Sequence, residues 1–431
     1  MGVSELKRLF KSIAKGVFTT TLRPRIGNYI IADIMTTLHS MSNVPLTLEE
    51  ISVMLFDKLA GLLDDVPRTL IVIADKESMK PKQKAQEQKR RDDASMIEPY
   101  PDDSEITANG IVIGGTLQPR FSVSRVMRSR GQRKFLLREI TRLFMRDPKV
   151  CLGKDFKGTV ILDMVDGERP VSITSLGAEE THHGWLQLVG DFGEGDIGML
   201  LYLREIKKAV SPPTLSFGDS EGAEMPTRKR KLSAIATDSE TSPILGEGAG
   251  RAVPGPMFSL VTADSDVLPI FFGEFQRDPT LTGNWIGYRQ EWCDMRILID
   301  KLVMKGWNAH SCFLVACIGG CDFVAKSDLV HYIKFELVAN TIHRKLKTGT
   351  RDPLRDFEAF DEMLMSVYTA WLMSQLGGVV KASSLRKDWC WVREALTHLP
   401  NGNRLKPPVD PNVRLHAYET AKWLRDYWNA K

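Results

Sequence analysis

Short apolar runs that end in an aspartate dominate the pattern along this chain. Three of them cover residues 28–33, 69–75 and 258–264, and a fourth apolar run, without a terminal acid, covers residues 185–189. Runs of this length, rich in Ile and Val, are typical of parallel strands buried on both faces. Between the first two, residues 46–63 carry Leu and Ile at helical spacing. Strands that alternate with helices predict an α/β fold with a central, mostly parallel sheet flanked by helices.

Acidic residues follow several of these strands or lie in glycine-containing turns. Because the carboxyl ends of parallel strands share one edge of a sheet, where ligands bind, these acids are expected to converge there. Taken singly, each could be a helix cap or a turn residue. Seven of them together predict a carboxylate-lined site. They are Asp33, Asp75, Glu194, Asp196, Asp264, Asp266 and Asp322.

Seven carboxylates in one pocket would repel one another and raise one another's pKa values unless cations neutralised them. Oxygen ligands in this number suit Mg²⁺ or Mn²⁺ rather than zinc. Two such ions about 3.5–4 Å apart promote in-line attack on a phosphodiester. The expected cofactor is therefore a pair of Mg²⁺ ions, for which Mn²⁺ can substitute.

The basic residues are distributed unevenly, although the chain has 58 Lys and Arg against 54 Asp and Glu and a net charge of only +4. Residues 80–150 interrupt the α/β pattern with closely spaced Lys and Arg, which indicates a nucleic-acid-binding insertion. Tyr100 and Phe121 within it could stack on bases or pack in a core. The basic residues assigned to nucleic-acid binding are Lys84, Arg90, Arg91, Arg125, Arg128, Arg130, Arg133 and Lys134.

A second insertion, residues 210–256, is rich in Pro, Ser, Gly and Glu and is predicted to be disordered. Within it, Arg228, Lys229, Arg230 and Lys231 resemble a nuclear import signal, which predicts a nuclear protein.

Other patterns exclude whole classes of protein. No apolar run approaches the roughly 20 residues of a membrane helix, and residues 1–15 have the pattern of an amphipathic helix rather than a signal peptide. Six cysteines are too few for a disulfide framework and are expected to be reduced, most of them buried. His182 and His183 have no partner at zinc spacing and are expected at the surface.

Several short motifs, in order across residues 1 to about 330, resemble the flap endonuclease and xeroderma-pigmentosum-type 5′ nuclease family. The resemblance implies a PIN-like domain, with Gly2 near the site after processing and the seven acids as metal ligands. It also implies that Lys82 and Lys89 polarise the scissile phosphate, although Arg90 or Arg91 could do so after a one-residue shift. The motifs are Met1–Val3, Ile31–Asp33, Ile73–Asp75, Gly193–Asp196, Asp264–Asp266 and Gly320–Phe323.

The resemblance also divides the chain. It implies that residues 1–79, 151–209 and 257–330 form the nuclease core, and that residues 80–150 form a basic helical arch or cap. Residues 210–256 are then the disordered insertion, and residues 331–431 are a helical C-terminal region. Asp163 and Asp166 match nothing in the family and are expected in a turn.

Two features depart from the family. Residues 324–329 lack the glycines of its duplex-binding hairpin, and no sliding-clamp box is recognisable. The chain is therefore expected to be a divergent member, of the kind found in a large DNA virus or a fast-evolving lineage. If it is viral, it would act in the host nucleus.

The expected function is that of a monomeric, Mg²⁺-dependent, structure-selective 5′ nuclease. It would cut flapped or branched DNA in replication, repair or recombination. One alternative keeps the fold but degrades messenger RNA, as the herpesvirus host-shutoff proteins do. Another is a non-catalytic nucleic-acid-binding or interaction protein.

Overall fold

The computed structural model of the protein describes most of the chain. The described residues are 4–20, 25–41, 43–61, 68–76, 89, 96–152, 158–174, 189, 192–210, 257–264, 267–287, 291–319, 330, 333–376, 388–399 and 407–429.

A central sheet organises the described residues. Its strands, in spatial order, are β1, β11, β10, β9, β2, β3, β7 and β8. The five inner strands, from β10 to β7, run parallel, whereas β1, β11 and β8 join antiparallel at the two edges. The strands of this sheet are β1 (Phe18–Thr19), β2 (Tyr29–Asp33), β3 (Arg68–Ile73), β7 (Gly158–Asp163), β8 (Val171–Thr174), β9 (Phe258–Val261), β10 (Gly283–Ile286) and β11 (Trp292–Asp294).

Helices cover both faces of this sheet. Those that begin before residue 200 are α1 (Ser4–Ile13), α2 (Met35–Ser40), α3 (Leu48–Ala60), α4 (Val123–Val126), α5 (Arg130–Arg146), α6 (Pro148–Leu152) and α7 (Gly195–Val210). The later ones are α8 (Val267–Arg277), α9 (Met295–Met304), α10 (Ala309–Gly319), α11 (Phe335–Thr348), α12 (Phe357–Gln375), α13 (Trp389–Thr397) and α14 (Pro411–Trp428).

Alternate side chains of the inner strands enter two separate hydrophobic cores. Ile31 and Ile71 belong to a core that includes residues of α1 and α7–α14. Ile30 and Leu70 belong to a core that includes residues of α2–α6. Successive strand residues point to opposite faces, so a strand covered on both sides must be apolar throughout. The three apolar runs predicted as buried parallel strands are confirmed as β2, β3 and β9.

Helix α3 shows how local sequence sets an element's bounds. Thr47 accepts a hydrogen bond from the Glu50 N–H, and the Glu50 carboxylate accepts one from the Thr47 N–H, which is a capping box. Its apolar side chains Leu48, Ile51, Leu55 and Leu59 are buried. The helix predicted within residues 46–63 is thus confirmed, with slightly narrower bounds.

Strand β7 was not predicted. Asp163 is its last residue and is buried, so the expectation that Asp163 lies in a turn is wrong. Asp166 does lie in the following turn. Of the run predicted as a strand at 185–189, residues 185–188 lie outside the described residues.

The predicted basic helical arch at 80–150 is not confirmed. Its described part contains a separate antiparallel sheet of β4 (Glu105–Thr107), β5 (Gly110–Ile113) and β6 (Thr116–Gln118). Helix α5 packs its apolar face, including Leu136 and Ile140, into the same core as α3. Residues 77–95, except Lys89, lie outside the described residues.

Other predictions can be assessed in the described chain. The amphipathic N-terminal helix is confirmed as α1, and the helical C-terminal region as α11–α14. Cys151, Cys293, Cys312 and Cys317 are buried thiols, and Cys390 is an exposed one. No described helix is both long and apolar enough to cross a membrane. Of the segment predicted to be disordered, Val210 is the last residue of α7. Residues 211–256, with the import-like signal, and His182 and His183 lie outside the described residues.

Candidate metal centre

Three predicted acids follow adjacent parallel strands at one edge of the sheet. Asp33 is the last residue of β2, Asp75 lies two residues beyond β3, and Asp264 lies three residues beyond β9. In the spatial order β9–β2–β3, all three strands present their carboxyl ends to this edge. The topology thus collects acids that are up to 231 positions apart in the sequence, from 33 to 264.

The start of α7 brings further acids to the same edge. The Gly195 N–H donates a hydrogen bond of 2.8 Å to Asp75 Oδ1. Gly195 also lies against Asp33, since a Cβ at Gly195 would be 3.1 Å from Asp33 Cγ. Its two neighbours are Glu194, which is buried, and Asp196, which is half-buried in the first turn of α7. Asp75, Asp33 and the acidic start of α7 therefore form one cluster.

The ionisation of Asp33 reflects this clustering. Burial and the charge of Asp75 raise its pKa to about 8, and Asp264 and Glu194 add smaller effects in the same direction. The Met35 N–H, 2.9 Å from Asp33 Oδ1, opposes the shift by donating a hydrogen bond to the carboxylate. Four of the predicted acids therefore interact electrostatically, and without a cation Asp33 is mostly protonated at neutral pH.

The chemistry of this donor set fits a hard divalent cation. A bound ion would offset the mutual repulsion that raises the pKa of Asp33, and all the donors are carboxylate oxygens. Within the described residues, however, no three His, Cys, Asp or Glu side chains converge closely enough to hold one ion. Asp266 and Asp322, the remaining predicted ligands, lie outside the described residues.

A buried ion pair borders this cluster and was missed in the sequence. Lys76 Nζ contacts Asp163 Oδ1, and the two side chains are only 2% and 1% exposed. The Tyr202 hydroxyl donates a 2.6 Å hydrogen bond to Asp163 Oδ2. Burial, followed by the charge of Asp163, raises the pKa of Tyr202. The sequence did carry a signal for Asp163, because the apolar run Gly158–Asp163 ends in an aspartate as the predicted strands do.

The predicted phosphate-polarising and nucleic-acid-binding residues are only partly described. Lys89 is helical and exposed, Arg130 is exposed, and Arg128 and Lys134 are half-buried. Gly2, Lys82, Lys84, Arg90 and Arg91 lie outside the described residues.

Two arginines assigned to nucleic-acid binding are either engaged in contacts within the protein or buried. Arg125 donates hydrogen bonds to the carbonyls of Glu98 and Pro99, and its guanidinium lies 3.9 Å from the centre of the Tyr100 ring. Arg133 is only 2% exposed, which disfavours its assignment to nucleic-acid binding. Tyr100 and Phe121 are buried as well, which favours packing over base stacking.

Comparison with known proteins adds no family to this description. No protein-family model matches the chain, and no curated protein sequence is significantly similar to it. The fold and the cluster define the protein as a mixed α/β protein with a largely parallel central sheet and acids at its carboxyl edge.

Proposed function

We propose that the protein is a Mg²⁺-dependent 5′ nuclease with a PIN-like core, similar to the flap endonucleases. The observation that carries the proposal is the electrostatic coupling of Asp33 to Asp75, Asp264 and Glu194 at the carboxyl edge of the sheet. Acids from three strand ends and one helix start need a cation to be ionised together. In a nuclease, divalent cations perform this role during phosphodiester hydrolysis.

Described side chains that would hold Mg²⁺ are Asp33, Asp75, Glu194, Asp196 and Asp264, with Asp266 and Asp322 assigned by sequence. When bound, the ions supply an activated water and stabilise the leaving oxygen. Asp33 would release its proton as the cation binds, because the added positive charge favours the carboxylate. The Gly195 N–H keeps one oxygen of Asp75 oriented.

Positive charge for the substrate would come from the segment that follows Asp75. Lys82 and Lys89 are the residues proposed to bind and polarise the scissile phosphate, a role that stabilises developing negative charge. Lys76 cannot share this role, since its ammonium group is buried against Asp163.

DNA with a flap or branch is the proposed substrate, and the import-like signal at 228–231 supports a nuclear site of action. The experiment uses matched 5′-flap DNA and single-stranded RNA, each labelled at the 5′ end, in Mg²⁺ or in EDTA. The variants are Asp33→Asn and Asp75→Asn. Asp102→Asn is the matched control, because Asp102 is an exposed turn residue that is not one of the predicted metal ligands.

The expected result is Mg²⁺-dependent cutting near the DNA junction, reduced roughly 100-fold or more in the two site variants. The control should cut like the wild type. Preferential RNA cleavage with the same mutational pattern would assign the site to RNA degradation instead. If neither substrate is cut, and neither Mg²⁺ nor Mn²⁺ raises the melting temperature, the proposed function is wrong.

A further inference from the structure

The ion pair between Lys76 and Asp163 belongs to a network of side-chain contacts. Asp163 uses both carboxylate oxygens, one for Lys76 Nζ and the other for the Tyr202 hydroxyl. Lys76 Nζ also lies 4.5 Å from the centre of the Phe192 ring. The ammonium group is therefore placed between a carboxylate and the face of an aromatic ring, both of which stabilise a cation.

These four side chains link three elements around the start of α7. Asp163 ends β7 and is paired in register with Ile73 of β3, whereas Lys76 lies three residues beyond β3. Phe192 precedes α7, and Tyr202 lies two turns into it. The ion pair thus ties the ends of two parallel strands to both sides of the point where α7 begins.

Backbone contacts join the same segments. The Lys76 N–H donates a 2.8 Å hydrogen bond to the Gly193 carbonyl. The Gly195 N–H donates one of equal length to Asp75 Oδ1. Residues 75–76 therefore bind the chain immediately before and after Glu194.

Packing alone does not explain a charged pair at this place. Burial of two charges is costly, and well-packed apolar side chains of similar volume are often equally or more stabilising. A hydrogen-bonded ion pair differs from an apolar contact because its strength depends on direction. It forms only when the two side chains are correctly placed relative to each other. This property matters where neighbouring residues must be held at defined distances.

We propose that Lys76 and Asp163 are positioning residues for the metal centre. They hold the start of α7 against the end of β3, and thereby keep Glu194 and Asp196 at the same edge of the sheet as Asp75 and Asp33, where the cation would bind. Neither residue touches the cation or the substrate. The inference rests on the proposed function, because it needs a cation to be bound at this edge.

The test replaces the pair by apolar side chains of similar volume, Lys76→Met together with Asp163→Leu, in the full-length protein. Mn²⁺ affinity is measured by isothermal titration calorimetry, and folding by thermal melting. We expect a cooperative melt close to that of the wild type and an Mn²⁺ affinity that is about tenfold weaker, as for other residues that orient metal ligands.

The matched control is another largely buried ion pair, between Arg414 Nε and Asp361 Oδ1, 2.5 Å apart among the C-terminal helices. Arg414→Met with Asp361→Leu should leave the Mn²⁺ affinity unchanged. If the Lys76 and Asp163 double variant does not melt cooperatively, Tyr202→Phe takes its place. Tyr202→Phe keeps the aromatic ring and the ion pair but removes the hydroxyl that donates to Asp163. A roughly two- to tenfold loss of Mn²⁺ affinity is expected.

A folded double variant with wild-type Mn²⁺ affinity would overturn the positioning role, as would unchanged affinity in Tyr202→Phe when that variant is used. In either case the proposed function would stand, since the wild type would still bind the ion. Wild-type protein that binds no Mn²⁺ would overturn both.

Discussion

Asp33 is the acid of the candidate metal centre whose pKa departs clearly from the usual range of an aspartate. Its pKa of about 8 reflects burial first, and then the charges of Asp75, Asp264 and Glu194. In an unfolded chain an aspartate has a pKa near 3.9. Between these two values the folded protein keeps a proton that the unfolded chain has already released, and this difference makes its stability depend on pH.

In EDTA, we expect the free energy of unfolding to fall as the pH rises from about 5 to 8, since the folded state binds more protons than the unfolded state. Asp33 can contribute at most about 1.4 kcal/mol per pH unit. Asp33→Asn removes this contribution, so urea denaturation across this range should give a steeper fall for the wild type. Equal slopes would contradict the raised pKa.

Arg130 and Arg133 lie one turn apart on α5 but have different surroundings. Arg133 is buried and Arg130 is exposed. Arg133→Met should lower the free energy of unfolding by roughly 1–3 kcal/mol, whereas Arg130→Gln should change it by less than about 0.5 kcal/mol. Urea denaturation measures both values.

The same two variants separate stability from nucleic-acid binding. If Arg130 contacts a phosphate, Arg130→Gln should reduce the salt dependence of binding by about one charge. Arg133→Met should leave the salt dependence of binding unchanged. Fluorescence anisotropy at increasing salt concentrations measures this dependence for both variants. A reduced salt dependence in Arg133→Met would return Arg133 to the nucleic-acid interface.

Among the elements, α7 connects the separate strand ends into one cluster. Two glycines in its first turns permit close approach: Gly195 lies against Asp33, and Gly198 lies against the ring of Phe192. Glycine inside a helix costs up to about 1 kcal/mol relative to alanine. Glycine is retained at these two positions because a Cβ would displace Asp33 or the Phe192 ring beside the acidic cluster.

Gly198→Ala should lower the free energy of unfolding by roughly 1–3 kcal/mol. The new Cβ would lie 2.8 Å from the Phe192 ring, which packs on Lys76 and would have to shift. Gly131→Ala in α5 is the matched control, because nothing lies within 4 Å of its new Cβ. It should raise stability by up to about 1 kcal/mol. A Gly198→Ala protein at least as stable as the wild type would contradict the described packing.

Across the whole molecule, the C-terminal helices share one hydrophobic core with the central sheet. Tyr368 of α12 and Trp389 of α13 pack edge to face, with ring centres 5.4 Å apart. Both belong to the same core as Phe258 of β9. The helical region therefore completes the core instead of forming a separate one.

A chain that ends after residue 376 should lose cooperative unfolding, because removal of α13 and α14 exposes the apolar face of α12. Differential scanning calorimetry and near-ultraviolet circular dichroism would show a broad transition and a weakened aromatic signal. A chain that ends after Asn429 retains α14 and serves as the control. A sharp melt at the wild-type temperature for the shorter chain would show that the two regions fold independently.

Part of the candidate site was predictable from local pattern. A strand buried on both faces must be apolar throughout, so the runs that became β2, β3 and β9 stood out, and their order placed Asp33, Asp75 and Asp264 at one edge. The pairing of Lys76 with Asp163 was not predictable, because the two residues are 87 positions apart and only the neighbouring positions of β3 and β7 bring them together.

The sequence by itself determined the α/β class, the three acid-terminated strands, the buried face of α3 and the helical character of the C-terminal region. Local periodicity was sufficient because these features depend on which faces of an element are apolar. Only the tertiary structure decided that Arg133 points inward, that Tyr100 and Phe121 pack instead of stacking on bases, and that Asp163 balances Lys76. A charged or aromatic side chain takes its role from the partners that surround it, and long-range topology selects those partners.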